Sequence, residues 1–187
     1  MEIQQILNRI YPLPERSMQK MKQHIQEVDF PKGNILLHAD RVETTVFFIK
    51  KGIARAYSPT PDDEQTFWFG REGDPVISMK SYVNYEKGYE NIELLEDSQL
   101  YKIKSADLQK LYFEDIHIAN WGRKFAEQEL IKTEKRLISR QFLSATERYK
   151  ELLEQNPELL RRVQLGHIAS FLGITQVSLS RIRAEIK

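Results

Sequence analysis

Short β-rich segments separated by turn residues fill the chain from about residue 28 to 104, and this alternation constrains the fold more than any other feature. The segments are ILLHA, TTVFFIK, GIARAYS, QTFWFG, NIELLE and SQLYKI. Between them, PKGN, KKG, SPTPDDE and REGD supply the Gly, Pro, Asn and Asp residues that tight turns require. About seven or eight strands at such intervals predict one antiparallel sandwich, jelly roll or barrel.

Helical patterns flank this β region. Residues 2–10 and 15–27 predict two short helices, which are separated by prolines. SADLQKLYFED, residues 105–115, predicts a helix that closes the β region and is capped by Ser105, a residue type favoured at N-caps. A further helix is predicted over residues 145–155. The sequence therefore indicates an α+β protein.

A long helix is predicted from Ile116 to Phe142, because this stretch contains no proline. Two apolar stripes run along it: one contains Ala119, Ala126, Leu130, Thr133 and Leu137, and a bulkier one contains Ile118, Trp121, Phe125 and Ile131. Two stripes need two partners. One is the β region, and we expect the other to be a second copy of the helix, with Ala119, Ala126, Leu130 and Leu137 at the dimer seam. The alternative is that both stripes face the core of one chain.

The segment HIASFLGITQVSLSRIRAEIK, residues 167–187, has helical spacing but carries Gly173 near its centre. Glycine costs about 1 kcal/mol relative to alanine inside a helix, whereas it is favoured just after a helix C-terminus. We therefore expect two short helices. The first covers residues 165–172 and is capped by Gln164, and the second is capped by Thr175.

The second helix of this pair has an apolar face and a polar face. Leu179, Ile182 and Ile186 recur at helical spacing and are expected to face the core. The opposite side offers groups that read base edges in the major groove of DNA. The expected base contacts are Gln176, Val177, Ser180 and Arg181. With the small Ala169 in the first helix, this pattern is typical of a helix-turn-helix motif, although helix pairs with a glycine corner also occur as plain core.

The charge distribution favours a nucleic-acid partner near the C-terminus. Residues 1–114 carry 15 Lys and Arg against 18 Asp and Glu, whereas residues 115–187 carry 13 against 9. A local basic surplus is the footprint of nucleic-acid binding.

The sequence gives no support to an enzyme or a metal site. The four histidines lie far apart, at positions 24, 38, 117 and 167, and no nucleotide-binding or hydrolase motif occurs. Because the chain has no cysteine, disulfides and thiolate metal sites are excluded. No apolar run approaches the roughly 18 residues that span a membrane, and the first ten residues lack a signal-peptide pattern. We expect a cytoplasmic protein that makes no membrane contact.

A β-roll followed by a long helix and a terminal helix-turn-helix resembles the layout of the Crp/Fnr superfamily of bacterial transcription regulators. The resemblance covers nearly the whole chain and is carried by FPKGNILLHAD, VFFIKKGIARAY, REGDPVISM, LEDSQLYKI and IASFLGITQVSLSRIR. It implies a cyclic-nucleotide-binding-like β-roll with N-terminal helices over 1–114, a dimerisation helix over 115–142 and a DNA-binding domain over 143–187. It also implies a homodimer whose recognition helices enter successive major grooves about 34 Å apart.

The resemblance is weak at the effector site of members that bind cyclic AMP. Those members carry a glutamate for the ribose, and an arginine followed by serine or threonine for the cyclic phosphate. Counted from the Gly-Asp pair at 73–74, the glutamate position falls on Ser78, the arginine on Gly88 and the hydroxyl on Tyr89. Only Thr133, on the long helix, matches a nucleotide-contacting position. A buried phosphate that lacks its arginine partner loses several kcal/mol of binding free energy, so we do not expect cyclic AMP to bind. Any small-molecule effector is unidentified.

The recognition helix also departs from the best-known family pattern. Gln176 and Val177 stand where that pattern has an arginine and a glutamate, and Arg181 keeps the family residue. We expect Arg181 to pair with guanine, Gln176 to pair with adenine and Val177 to pack on a thymine methyl group. The expected phosphate contacts are Gln164, Thr175 and Arg183.

These patterns predict a homodimeric, sequence-specific transcription regulator of the Crp/Fnr type that binds palindromic DNA, with RNA polymerase as a candidate further partner. A second hypothesis is a small-molecule-binding β-roll module whose C-terminal helices only pack. The β-hairpin wing that many relatives carry is missing or was trimmed, because the sequence stops at Lys187. The target genes, the half-site and the direction of regulation are left open.

Overall fold

The computed structural model describes residues 1–59 and 64–186, so the centre of the predicted SPTPDDE turn, residues 60–63, lies outside the described residues. Helices α1 (Ile3–Ile10) and α2 (Glu15–Gln23) come first. The β region contains β1 (Gln26–Phe30), β2 (Ile35–Leu37), β3 (Thr45–Lys51), β4 (Ala54–Pro59), β5 (Glu64–Gly70), β6 (Pro75–Val76), α3 (Met79–Asn84), β7 (Asn91–Leu94) and β8 (Ser98–Lys104). The remaining helices are α4 (Ser105–Glu114), α5 (Ile116–Phe142), α6 (Ala145–Gln155), α7 (Leu159–Arg162), α8 (Leu165–Leu172) and α9 (Gln176–Glu185).

The strands form two antiparallel sheets that enclose an apolar core. One sheet has the order β1-β8-β3-β6 and the other has the order β2-β7-β4-β5. The core between them contains Leu37, Phe47, Ile49, Ala54, Ala56, Val76, Ile92, Leu94 and Leu100. Burying this surface is the main favourable term for such a fold. The predicted antiparallel β-roll is confirmed.

A second core lies between the first sheet and the helices α1, α2, α4 and α5. Its members are Ile6, Leu7, Met18, Met21, Phe48, Tyr101, Ile103, Leu108, Leu111, Ile118, Trp121 and Phe125, among others. Trp121 is fully buried, and its indole N–H donates a hydrogen bond of 2.9 Å to the carbonyl of Leu7. The long helix is thereby attached to the roll at its N-terminal end.

Helix α5 has the predicted bounds, because local signals set both of its ends. The Asp115 carboxylate accepts hydrogen bonds from the N–H groups of His117 and Ile118, which would otherwise lack partners at the helix start. Within the bulkier stripe, Ile118, Trp121 and Phe125 are buried as expected. The prediction is wrong for Ile131, which is 52% exposed because it lines an open cavity between α5 and residues 73–75 of the roll and is not packed in the core.

Two predictions about helix ends are wrong. The helix predicted over 15–27 ends at Gln23, because Gln26 and the residues that follow it pair with β8 and gain a ladder of backbone hydrogen bonds. Ser105 does not cap α4: it is the first helical residue and is buried, and Lys104 occupies the N-cap position. The short helices α3 and α7 were not predicted, since four to six residues carry too little periodicity.

Candidate nucleic-acid interface

The corner between α8 and α9 is built by Gly173. This residue has φ 69° and ψ 34°, the left-handed conformation that glycine adopts without a steric penalty. Its N–H donates to the carbonyl of Ser170, and the N–H of Ile174 donates to the carbonyl of Ala169, both at 3.0 Å. These bonds satisfy carbonyls at the end of α8. The prediction of two helices with a glycine corner is confirmed.

Helix α9 starts at the predicted cap. The Thr175 hydroxyl accepts a hydrogen bond of 3.1 Å from the N–H of Ser178. Leu179 follows with no exposed surface and packs in a third core together with Tyr149, Leu152, Leu159, Val163, Ile168, Ala169 and Leu172. Ile182 and Ile186 pack partly buried against the same core. This packing fixes which face of α9 points outward.

The outward face of α9 carries the residues predicted to contact bases. Gln176, Ser180 and Arg181 are exposed, and Val177 is 63% exposed, which is high for an apolar side chain. The Ser180 hydroxyl donates a hydrogen bond of 3.0 Å to the carbonyl of Gln176. The structure therefore brings these four side chains together on one surface, which we call the recognition face.

The predicted phosphate contacts lie at three separate positions. Arg183 is exposed on α9. Thr175 Oγ1 takes part in the helix cap described above. Gln164 stands at the N-cap position of α8 but its side chain makes no capping bond, so the prediction that it caps this helix is wrong. Glutamine is one methylene longer than asparagine and is not among the residue types favoured at N-caps.

The predicted dimer seam lies along the free part of α5. Ala126 is exposed, and Leu130 and Leu137 are 70% and 63% exposed. Ala119 is half-buried, because it lies where α5 still contacts the roll. Ile138 and Phe142 continue the exposed apolar surface toward the helix end, at 50% and 72% exposed. Apolar side chains at this density on one helix are typical of an interface.

The predicted effector residues are only partly brought together. Ser78 is buried and its hydroxyl donates to that of Ser81 at 3.3 Å. A Cβ atom on Gly88 would lie 2.6 Å from Ser78 Oγ, so these two positions are adjacent. Tyr89 is 61% exposed and its ring lies 6.0 Å from that of Phe67. Thr133 is exposed on α5 and accepts a hydrogen bond from Arg136.

Two cavities occur elsewhere in the described part of the chain. One of about 300 Å³ lies between α1, α5 and the turn before β6, and its lining includes Arg9, Asp74 and Lys132. The other, of about 200 Å³, lies between the roll and α8, and its lining includes Arg162 and His167. Neither cavity is lined by Ser78, Gly88, Tyr89 or Thr133.

Within residues 1–59 and 64–186, no helix combines the length and the apolar character needed to cross a membrane. In the same residues, no group of three or more His, Asp or Glu side chains is arranged to hold a metal ion.

Several charged residues between the roll and the helix-turn-helix were missed by the sequence analysis. Arg55 is 2% exposed, and Arg162 forms ion pairs with Glu72 and Glu96. The only sequence signal was an arginine inside the apolar segment GIARAYS, where a buried charge needs a partner. The partners lie far away in sequence, so no spacing rule identifies them.

Comparisons with known proteins agree with this architecture. Residues 27–115 match the family model of the cyclic nucleotide-binding domain. No curated protein matches the chain closely enough in sequence to count as a relative. Among solved structures, FixK2 from Bradyrhizobium japonicum is 21% identical with a TM-score of 0.72, over 87% of this chain and 84% of that chain. The c-di-GMP responsive global regulator CLP from Xanthomonas campestris is 16% identical with a TM-score of 0.68, over 92% and 91%.

A protein from Eubacterium rectale that is placed in the Crp/Fnr family of transcriptional regulators is 15% identical, with a TM-score of 0.73 over 93% of this chain and 85% of that chain. At sequence identities of 15–21%, the structural similarity shows a shared fold. Residues 27–115 thus match the cyclic nucleotide-binding domain, and the chain shares the fold of these solved Crp/Fnr-type structures. The predicted resemblance is confirmed at the level of the fold.

Proposed function

We propose that the protein is a homodimeric, sequence-specific DNA-binding transcription regulator of the Crp/Fnr type. The recognition face carries this proposal, because an amide, a methyl-bearing group, a hydroxyl and a guanidinium lie side by side on the exposed face of α9. The opposite face of this helix packs in the third core. These are the groups that distinguish base pairs in the major groove. The fold shared with Crp/Fnr regulators supports the same function.

The homodimer is proposed from the exposed apolar surface of α5. Leu130 and Leu137 lie two turns apart on this helix, and Ala126 lies one turn before Leu130. Helices with apolar residues at this spacing associate side by side. A symmetric dimer would place two recognition faces on one side of the DNA, so the bound site should be palindromic. This role also implies a cytoplasmic location and makes RNA polymerase a further proposed partner.

The decisive experiment is selection of bound DNA from random fragments at moderate salt. We expect an inverted repeat whose halves are separated by about one helical turn. If the wild-type protein selects no preferred sequence, the regulator hypothesis fails and the second hypothesis, a small-molecule-binding module, is favoured. A preferred site without inverted symmetry would refute the homodimer.

Replacing Arg181 with alanine is expected to weaken binding to the selected site by about 1–3 kcal/mol and to relax the preference at one base pair of each half-site. Arg183→Ala is the matched control, since it removes the same charge from the same helix. It should weaken binding to all sequences alike and lower the salt dependence. Fluorescence anisotropy titrations at several salt concentrations measure both effects. Equal losses on specific and unrelated DNA for Arg181→Ala would contradict its role in base contact.

We propose that the effector, where one acts, is not cyclic AMP. Gly88 offers no side chain for a phosphate, and the hydroxyl of Ser78 is already bonded to Ser81. A larger residue at position 88 would also collide with Ser78. The match of residues 27–115 to the cyclic nucleotide-binding domain is the observation that favours a ligand-binding function.

Isothermal titration calorimetry with cyclic AMP and cyclic GMP is expected to show no tight binding, because the charge-assisted pair with an arginine is lost. AMP serves as the control ligand for non-specific nucleotide contacts. Micromolar binding of either cyclic nucleotide would overturn the interpretation of Ser78 and Gly88 given above.

A further inference from the structure

The helix-turn-helix unit, defined as α6 to α9, packs against its own β-roll along a surface that we call the junction. The ring centroids of Phe69 on β5 and Phe171 on α8 lie 5.3 Å apart. Ile53, between β3 and β4, is 1% exposed and belongs to the core of the helix-turn-helix unit. The two units therefore share a buried apolar contact.

Helix α8 also covers the edge of the second sheet. Strand β5 is the last strand of that sheet, so its outer N–H groups lack a neighbouring strand. The Ser170 hydroxyl accepts a hydrogen bond of 2.9 Å from the N–H of Thr66 and donates one of 2.7 Å to the carbonyl of Glu64. The side-chain amide of Gln65 donates to the carbonyl of Ser170. Ser170 on α8 thus provides hydrogen-bond partners to backbone groups at this open sheet edge.

Arg162 connects the helix-turn-helix unit to two turns of the roll. Its guanidinium binds both oxygens of Glu72, at 2.8 and 3.1 Å, and donates to Glu96 at 2.5 and 3.3 Å. Glu72 additionally accepts the N–H of Gly52 at 3.0 Å. Burial alone would raise the pKa of Glu72, but the hydrogen bonds from Arg162 and Gly52 outweigh it and lower that pKa to about 2. Both carboxylate and guanidinium are therefore charged at neutral pH.

Arg55 lies on β4 and contacts the helix-turn-helix unit through His167, whereas its two carboxylate partners, Glu64 on β5 and Glu93 on β7, belong to the roll itself. Its side chain is 3% exposed, it pairs with Glu64, and its Nε lies 2.9 Å from an oxygen of Glu93. Arg55 Nη1 also contacts Nδ1 of His167 on α8. Because a guanidinium can only donate, Nδ1 must be unprotonated. Burial, followed by the charge of Arg55, lowers the pKa of His167, so this ring is neutral at pH 7.

The junction covers neither the recognition face of α9 nor the apolar stripe of α5. The recognition face of α9 is exposed while α7 and α8 contact the roll, and the apolar stripe around Leu130 and Leu137 is exposed as well. The recognition face and this stripe of α5 are therefore both exposed while the unit is docked on the roll. In the proposed dimer, the distance between the two recognition faces is set by how each unit is held on its roll.

We propose that Arg162 is a positioning residue that holds the helix-turn-helix unit on the roll and thereby sets the half-site spacing that the dimer accepts. This inference rests on the proposed function, because spacing is defined only for a DNA-binding dimer. Charged contacts with several partners favour one orientation, since a rotation of the unit would separate Arg162 from both Glu72 and Glu96 and leave these part-buried charges without their partners.

The first test is amide hydrogen exchange of the full-length protein without DNA, comparing wild type with Arg162→Gln. The amide of Thr66 reports the junction, because its hydrogen bond to Ser170 exists only when α8 is docked. We expect roughly tenfold faster exchange at Thr66 in Arg162→Gln, with unchanged exchange in β3 and β8. Unchanged exchange at Thr66 would overturn the proposal.

The control is Arg161→Gln. Arg161 is the neighbouring residue, but its side chain is 76% exposed and pairs only locally, with Glu158. Its replacement removes the same charge and should change neither exchange nor DNA binding. If Arg162→Gln does not fold, Glu72→Gln replaces it, because glutamine keeps an acceptor for the Gly52 N–H while losing the charge that binds Arg162. An equal effect of Arg161→Gln would show that net charge, and not the junction, is responsible.

The second test is DNA selection from a library in which the two half-sites are separated by variable spacers. Wild type and Arg161→Gln should each prefer one spacing, whereas Arg162→Gln should keep the half-site sequence and accept several spacings, with roughly tenfold weaker binding to the original site. A spacing preference that stays sharp in Arg162→Gln overturns the positioning role. If wild type selects no sequence, the proposed function and the spacing role both fail, while the exchange experiment still decides whether Arg162 holds the two units together.

Discussion

Replacing Trp121 with alanine is expected to lower the free energy of unfolding by about 3–5 kcal/mol. The indole is fully buried, stacks on Phe125 with centroids 5.7 Å apart and meets Phe48 edge-on at 6.1 Å. Its N–H also donates to the carbonyl of Leu7, so removal leaves a large cavity and deletes a hydrogen bond. These contacts join α1, β3 and α5, which makes Trp121 the main connection between the roll and the long helix.

Urea unfolding measures this effect, at one fixed protein concentration because a dimer is proposed. The chain has two tryptophans, so Trp68 remains as the fluorescence probe in Trp121→Ala. Phe113→Ala is the control: this aromatic ring is 90% exposed on α4, and its loss should change stability by less than about 0.5 kcal/mol. A loss of unfolding free energy below about 1 kcal/mol for Trp121→Ala would show that α1 and α5 are not held on the roll by the contacts described.

The second large effect is expected for Leu179→Ala, which should destabilise the helix-turn-helix unit by about 2–5 kcal/mol and abolish specific DNA binding. Leu179 has no exposed surface and is the fully buried anchor of α9 in the third core. The loss of its side chain leaves a cavity beneath the recognition face. Because protein cores are close-packed, neighbouring side chains fill such a space only in part, and the rest of the cavity destabilises the packing of α9.

Val177→Ala is the matched control for Leu179→Ala, since it shortens an apolar side chain on the same helix. Val177 is 63% exposed, so its replacement should leave stability within about 0.5 kcal/mol of wild type and affect only DNA preference. Hydrogen exchange in α8 and α9, together with DNA titrations, separates these outcomes. Wild-type DNA affinity in Leu179→Ala would refute the proposal that α9 must be held by this core.

Elements with strong local signals could be predicted from the sequence. The corner at Gly173 and the cap at Thr175 are confirmed, because φ preference and cap chemistry depend on one to four neighbouring residues. The bounds of α5 are confirmed for the same reason. The strands between the turns are confirmed since the turn residues interrupt the apolar segments regularly.

Predictions failed where a distant partner decided the local structure. Residues 26 and 27 were predicted to be helical but form β1, because β8, which lies more than 70 residues further along the chain, offers them backbone partners. Ile131 was predicted to be buried with Trp121, but the periodicity of a helix does not say how closely a neighbouring element packs at each position. In both cases tertiary context overrides a weak local preference.

The amino-acid sequence by itself determined the order of the units, the glycine corner and the side chains that α9 presents, because these follow from conformational preferences and periodicities within a few residues. Only the tertiary structure decided that Arg162 meets Glu72 and that Arg55 meets His167, partners that are separated by 90 and 112 residues. Such pairs form only when the packing of the roll against α7 and α8 brings residues that are distant in sequence within hydrogen-bond distance.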